Sequence, residues 1–236
     1  SVDDLRELVD VCRRYGINYQ DGGTIYNRSA SEVEEIVKIC DDNGISYKNS
    51  GSLFGKDPKE VQKIIDVCRK YGIKCTKSST IFRRSADEIE KTVEICQKNG
   101  VDYRNGGSLF KAVPENVQSI IDICRKYNID CSKGGTAFTK SPEVLERLGK
   151  VCQDNNISCT GNILLCNPDK LVESINYVRE TYGDRFVTRM VVCQNPDRLR
   201  KVLPYFEECG YMEGLLGKNV MVLSLTLDEI KEREEV

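Results

Sequence analysis

Pro58 to Ser85 reads PKEVQKIIDVCRKYGIKCTKSSTIFRRS, and the stretch before it, Ala30 to Asp57, reads ASEVEEIVKICDDNGISYKNSGSLFGKD. The two align over their whole length without a gap. Their cysteines belong to a longer series, Cys12, Cys40, Cys68, Cys96, Cys124 and Cys152, set at one constant 28-residue interval. Self-similarity at a fixed period marks a repeat architecture, in which each unit buries its apolar face against its neighbours. A finer alternation runs through the series. Arg13-Arg14, Arg69-Lys70 and Arg125-Lys126 follow the cysteine in odd units, whereas Asp41-Asp42, Gln97-Lys98 and Gln153-Asp154 follow it in even ones. The larger unit is therefore a 56-residue pair.

Within each unit the first half reads as a long helix. Ser29, Asp57, Ser85, Ser141, Asn167 and Asn195 suit the N-cap, and Pro58, Pro142, Pro168 and Pro196 follow at the first helical position, where a missing N–H is harmless. Ser29 with Glu32, Ser85 with Glu88 and Thr226 with Glu229 have capping-box spacing. Val61, Ile64, Ile65, Val67 and Cys68 recur with helical period. Gly16, Gly44, Gly72, Gly100, Asn128, Asn156 and Gly210 close the helices, being the residue types that tolerate a left-handed cap. Ile17, Ile45, Ile73, Val101, Ile129 and Ile157 come next and are placed to fold back on the last turn.

The second half-unit admits two readings. A hydroxyl at Thr24, Ser52, Thr80, Ser108 and Thr136, each followed by an apolar pair, reads as the cap of a short second helix. That reading gives an all-α fold, a right-handed α-solenoid of 28-residue helical repeats. The alternative is a short strand at Ile73-Lys74-Cys75 and its equivalents, giving an α/β horseshoe like that of leucine-rich repeats. The Leu-x-x-Leu-x-Leu signature of such repeats is missing. Residues 1–166 hold six regular repeats, and residues 167–236 hold two to three diverged ones continuing the same array. The sixth unit is two residues short, so Val178 takes the cysteine position, and longer apolar runs occupy Phe186 to Cys193 and Val220 to Leu225. Both ends of the sequence fall in repeat-like helices, as in a piece of a longer array.

Composition limits the function. The chain has 236 residues, 31% of them charged and 39% hydrophobic, with a net charge of −2 and no histidine. That rules out Ser-His and Cys-His catalysis and histidine ligation of zinc or haem. No apolar window is long enough to cross a membrane, and the first residues are not a secretory signal. The twelve cysteines contain no Cys-x-x-Cys pair, their closest neighbours being seven apart (Cys68/Cys75, Cys124/Cys131, Cys152/Cys159 and Cys159/Cys166). Tyr19, Tyr47 and Tyr103 alternate with Cys75, Cys131 and Cys159 at one position, which points to packing, not ligation. Neither a metal nor a cofactor is expected, and the thiols read as reduced core fillers of an intracellular protein. Gly214-Leu215-Leu216-Gly217-Lys218 resembles the end of a phosphate loop, but Met212 stands at its first glycine and Asn219 follows the lysine. The pairs Gly22-Gly23, Gly106-Gly107 and Gly134-Gly135 read as turns. No catalytic constellation remains, and an enzyme is not expected.

One surface pattern stands out. Arg28, Lys56, Arg84 and Lys140 share a repeat position, broken by Ala112, and Arg83 and Lys111 lie beside it. Along stacked repeats one position becomes one line, and a line of cations can follow a phosphate backbone. Its place at helix N-termini is unfavourable for cations, since the helix dipole is positive there.

The diverged end runs Asn195-Pro196-Asp197-Arg198-Leu199, a helix, Cys209-Gly210-Tyr211, the apolar run Val220 to Leu225, then Thr226-Leu227-Asp228-Glu229-Ile230. This order resembles the repeat of the mitochondrial transcription termination factor family, and the segment from Gly72-Ile73 to Glu88 looks like a compressed version. The resemblance implies a curved, all-helical array that binds nucleic acid on a basic concave face. Two functions follow as expectations. The first is a non-enzymatic helical-repeat scaffold holding a protein or peptide along its concave surface. The second is a nucleic-acid binder using the cation stripe.

Overall fold

The computed structural model describes residues 1–20, 23–75, 80–105, 107–216 and 229–230. The capping-box position Thr226, the run Val220 to Leu225, Gly22, Gly106 and Gly217-Lys218 lie outside them. Among the described residues the chain is all-helical, with ten α-helices and no strand. They are α1 (Val2–Tyr15), α2 (Ala30–Asp42), α3 (Gly51–Phe54), α4 (Pro58–Tyr71), α5 (Ala86–Asn99), α6 (Pro114–Lys126), α7 (Pro142–Asp154), α8 (Pro168–Tyr182), α9 (Arg189–Val192) and α10 (Pro196–Glu208). The chain forms two compact units, one of Ser1–Asp122 with Cys131–Ser141, the other of Ile123–Asp130 with Pro142–Val236.

Helix starts follow the expected chemistry. Ser29, Asp57 and Ser85 accept the backbone N–H three residues on, and Ser29 and Ser85 complete capping boxes with Glu32 and Glu88. Asn167 and Asn195 cap α8 and α10. A further box at Ser1 and Asp4 starts α1. Helix ends share one geometry. Gly16, Gly44, Gly72, Gly100, Asn128 and Asn156 all have φ between 52° and 71°. The next residue then returns its N–H to the cysteine carbonyl, as in Ile17 to Cys12 (2.9 Å), Ile73 to Cys68 (2.8 Å) and Ile157 to Cys152 (2.8 Å). This is the six-to-one bond of a Schellman motif, and each returning side chain is buried against the last turn.

In the first unit the long helices pack in sequence, α1 on α2, α2 on α4 and α4 on α5. Their buried faces repeat one pattern: Val33, Ile36, Val37 and Cys40 in α2, and Val61, Ile64, Ile65 and Cys68 in α4. Short helical turns stack as a second layer. These are α3 and the 3-10 turns Ile81–Arg83, Gly107–Lys111 and Thr136–Thr139. Phe54, Phe82, Phe110 and Phe138, one per turn at the same repeat position, are almost fully buried between the layers. In the second unit α7 packs on α8 and α8 on α10, around Leu145, Leu148, Leu171, Ile175, Val178, Leu199 and Leu203.

The second half of the repeat differs from expectation in two ways. Thr24 and Thr80 stand at the start of short 3-10 turns, yet neither side chain caps its own turn. Thr24 Oγ1 instead donates to the carbonyl of Gly51 in the following segment, at 2.6 Å. The segment read as a possible strand has no regular structure, yet its N–H does reach the next repeat: Asn18 to Lys48 (2.9 Å), Lys74 to Arg104 (2.7 Å) and Asp102 to Ser132 (2.7 Å). Among the described residues one such bond is seen at each of these three places and no strand forms, so the horseshoe reading fails.

Candidate interaction surface and clefts

Two alternating contacts join successive helices. From odd to even, a cation near the end of one helix reaches a glutamate in the helix that follows: Arg14 to Glu34 (2.6 Å), Lys70 to Glu90 (2.8 Å) and, in the second unit, Lys126 to Glu146. From even to odd, an asparagine at the helix end folds its amide onto the carbonyl four residues back, as Asn43 does to Ile39 and Asn155 to Val151. Its oxygen then accepts from the next helix, from Arg69 at Asn43 and from Arg179 at Asn155, each at 2.7 Å. This alternation gives the pairing of repeats a physical basis.

The cations of the stripe differ in their surroundings. Arg28 and Arg84 are mostly covered, their side chains 19% and 16% exposed. Arg28 donates from Nε to the Phe54 carbonyl (3.2 Å) and from Nη2 to Gly55 (3.1 Å). Arg84 does the same at Phe110 (3.1 Å) and Lys111. These carbonyls end the short helical turn of the next repeat, where a cation is favoured. The third nitrogen faces the capping-box carboxylate, Glu32 at 3.3 Å or Glu88 at 3.4 Å. The unfavourable placement at a helix N-terminus is thus relieved twice. Where Ala112 replaces the cation, the hydroxyl of Thr139 donates to the Thr136 carbonyl within its own turn. Lys56 and Lys140 are half-buried, and Arg83 and Lys111 are exposed. The structure therefore does not gather the six cations into one exposed line.

Carboxylates follow this logic. The Ser29 backbone N–H and the Arg28 guanidinium hold the Glu32 carboxyl below its ordinary range. Burial works against the ionised form of Glu88, but the Ser85 N–H and the charges of Arg84 and Lys56 outweigh it and lower its pKa.

Each unit also opens a cleft that sequence reasoning missed, and the two linings share three repeat positions, Tyr15, Val37 and Asp41 in one and Tyr127, Gly149 and Gln153 in the other. In the first unit Tyr15, Glu34, Glu35, Val37, Lys38, Asp41 and Asp42 line a cavity of about 560 Å³. In the second, Tyr127, Gly149, Gln153, Cys152, Cys159 and their neighbours line one of about 490 Å³. Tyr127 and Gly149 hold the repeat positions that Tyr15 and Val37 hold two repeat pairs earlier. Gly149 makes room for the tyrosine that edges the second. A Cβ there would lie 2.4 Å from the Tyr127 ring, whose hydroxyl donates to Glu146 at 2.7 Å.

All twelve cysteines are free, and those of the repeated position are buried. Burial pushes the Cys40 and Cys96 thiols up to about 12, as expected of inert core fillers. Among the described residues no group of three or more Cys, Asp or Glu is arranged to hold a metal, and no helix is long and apolar enough to cross a membrane. Comparison with family models, curated proteins and solved structures finds no match to this chain.

Proposed function

We propose that the chain is a non-enzymatic helical-repeat scaffold, a right-handed solenoid of 28-residue repeats, that binds a protein or peptide partner along its concave surface. The observation that carries this reading is a cleft in each unit, the two sharing a tyrosine and two further lining positions in repeat register. Each is edged by a half-buried tyrosine, a side chain that supplies contact area at low entropic cost and is enriched in interfaces. With Glu34 paired to Arg14, three further carboxylates, Glu35, Asp41 and Asp42, stand against Lys38 around the first cleft and favour a basic segment. An intracellular, reducing compartment accords with twelve free thiols.

Nucleic-acid binding like that of the termination factors is the second reading, and Arg83 and Lys111 remain exposed to serve it. Arg28 and Arg84 are engaged by internal carbonyls, which weakens it. Peptides selected by phage display on the full chain and titrated by calorimetry test the proposal. Selected sequences rich in Lys and Arg are expected, and Glu35→Lys with Asp42→Lys weakens them at least about tenfold. Absence of any peptide binder, with salt-sensitive RNA or DNA binding in its place, overturns it.

A further inference from the structure

The first cleft lies at the junction of α1 with α2, and the same repeat positions meet again 56 residues on, where α4 packs on α5 within the same unit. Three of the lining positions are kept. Tyr15 returns as Tyr71, likewise half-buried, and Val37 as Val93. Glu34, tied to Arg14 at 2.6 Å, returns as Glu90, tied to Lys70 at 2.8 Å. The other four positions are exposed at both junctions, and all four change. Glu35 becomes Lys91, Lys38 becomes Glu94 and Asp42 becomes Lys98, each a reversal of sign, while Asp41 becomes the neutral Gln97. The kept positions build the junction. The changed ones face solvent, with three negative charges against one positive at the first junction and two positive against one negative at the second.

We propose that the two junctions of the first unit act together as a bipolar peptide site, whose partner is an extended segment carrying a basic cluster and, about five or six residues away, an acidic one. The inference rests on the scaffold reading above and narrows its partner. Packed helices stand about 8–10 Å apart, so equivalent points two helices apart are separated by about 16–20 Å. An extended chain covers that span in about five or six residues, at roughly 3.3 Å each. The partner's basic cluster sets against Glu35, Asp41 and Asp42, and its acidic cluster against Lys91 and Lys98. At each junction one tyrosine, Tyr15 or Tyr71, adds a rigid surface that is apolar on its body and polar at its tip. Opposite charges in register confer selectivity more than strength, because a segment of uniform charge meets like charge at one of the two junctions.

Fluorescence anisotropy with the full chain tests this on labelled peptides that hold a Lys-Arg pair and an Asp-Glu pair about five residues apart, made in both chain directions. The reference is an all-Lys/Arg peptide of the same length and spacing. One bipolar direction is expected to bind about tenfold more tightly than the reference at low salt, with the difference shrinking at high salt. Lys91→Glu with Lys98→Glu gives the second junction the acidic character of the first. It is expected to reverse that preference while circular dichroism stays unchanged. Equal affinity for bipolar and all-basic peptides, or a preference that the double variant leaves in place, overturns this inference and spares the scaffold reading. Failure of every peptide to bind overturns both.

Discussion

The guanidinium of Arg84 lies 3.1 Å, Nε to oxygen, from the carbonyl of Phe110, a residue of the next repeat, and Arg28 stands in the same relation to Phe54 at 3.2 Å. A side chain that reads in sequence as a surface cation is thus the clasp between successive short helical turns. Its planar fork addresses two carbonyls and a carboxylate together, a geometry that lysine cannot reproduce.

Arg84→Ala is therefore expected to destabilise the fold by about 1–3 kcal/mol, since two carbonyls lose a charged donor. Arg84→Lys recovers little of that. Urea denaturation of the three proteins checks it, and equal stability of the Lys variant and the wild type would count against the clasp.

Thr92 occupies the core position held elsewhere by Leu8, Ile36, Ile64, Ile120 and Leu148, and its hydroxyl is buried without a hydrogen-bond partner. Thr92→Val keeps the shape and removes the unsatisfied group. A gain of about 1–2 kcal/mol is expected, read as a higher midpoint in urea at unchanged slope.

Gly149 interrupts a β-branched column, Val9, Val37, Ile65, Val93 and Ile121, to admit the Tyr127 ring. Restoring the column with Gly149→Val forces the ring out and is expected to cost about 1–3 kcal/mol. Adding Tyr127→Ala relieves much of that loss, so the pair is non-additive. A double-mutant cycle by thermal denaturation measures the coupling.

The folded-state pKa of Glu32 lies below its ordinary 4.5, chiefly through the Ser29 N–H. A depressed carboxylate pKa contributes stability that is fully present above the unfolded value and is lost as pH falls through the folded one. Melting temperatures recorded from pH 6 to pH 3 should decline more steeply for wild type than for Glu32→Gln. Parallel curves would deny the capping box this role.

The long helices were legible because their signals are local. A cap at Ser29, a proline at Pro58 and a reversal at Gly72 each act within one turn, and each appears where the sequence puts it. The short half-repeat was not, because its bonds are non-local: the Thr24 hydroxyl satisfies Gly51 in the next segment, a pairing no window of one unit reveals. The stripe was legible in position but not in direction, since an arginine reaches either solvent or a neighbour. Two clues to its direction were present, the arginines Arg28 and Arg84 falling in alternate repeats, and the unfavourable helix end. The second cleft had a clue as well, the glycine at 149 in a column of branched residues.

Fluorescence anisotropy at physiological salt, with the full chain titrated into a labelled Lys/Arg-rich peptide and in parallel into labelled single-stranded RNA, tests the scaffold reading most directly. Saturable peptide binding, weakened by Glu35→Lys with Asp42→Lys, and no RNA binding are the predicted result. Salt-sensitive RNA binding that Arg83→Glu with Lys111→Glu abolishes, with no response to the peptide, would contradict it.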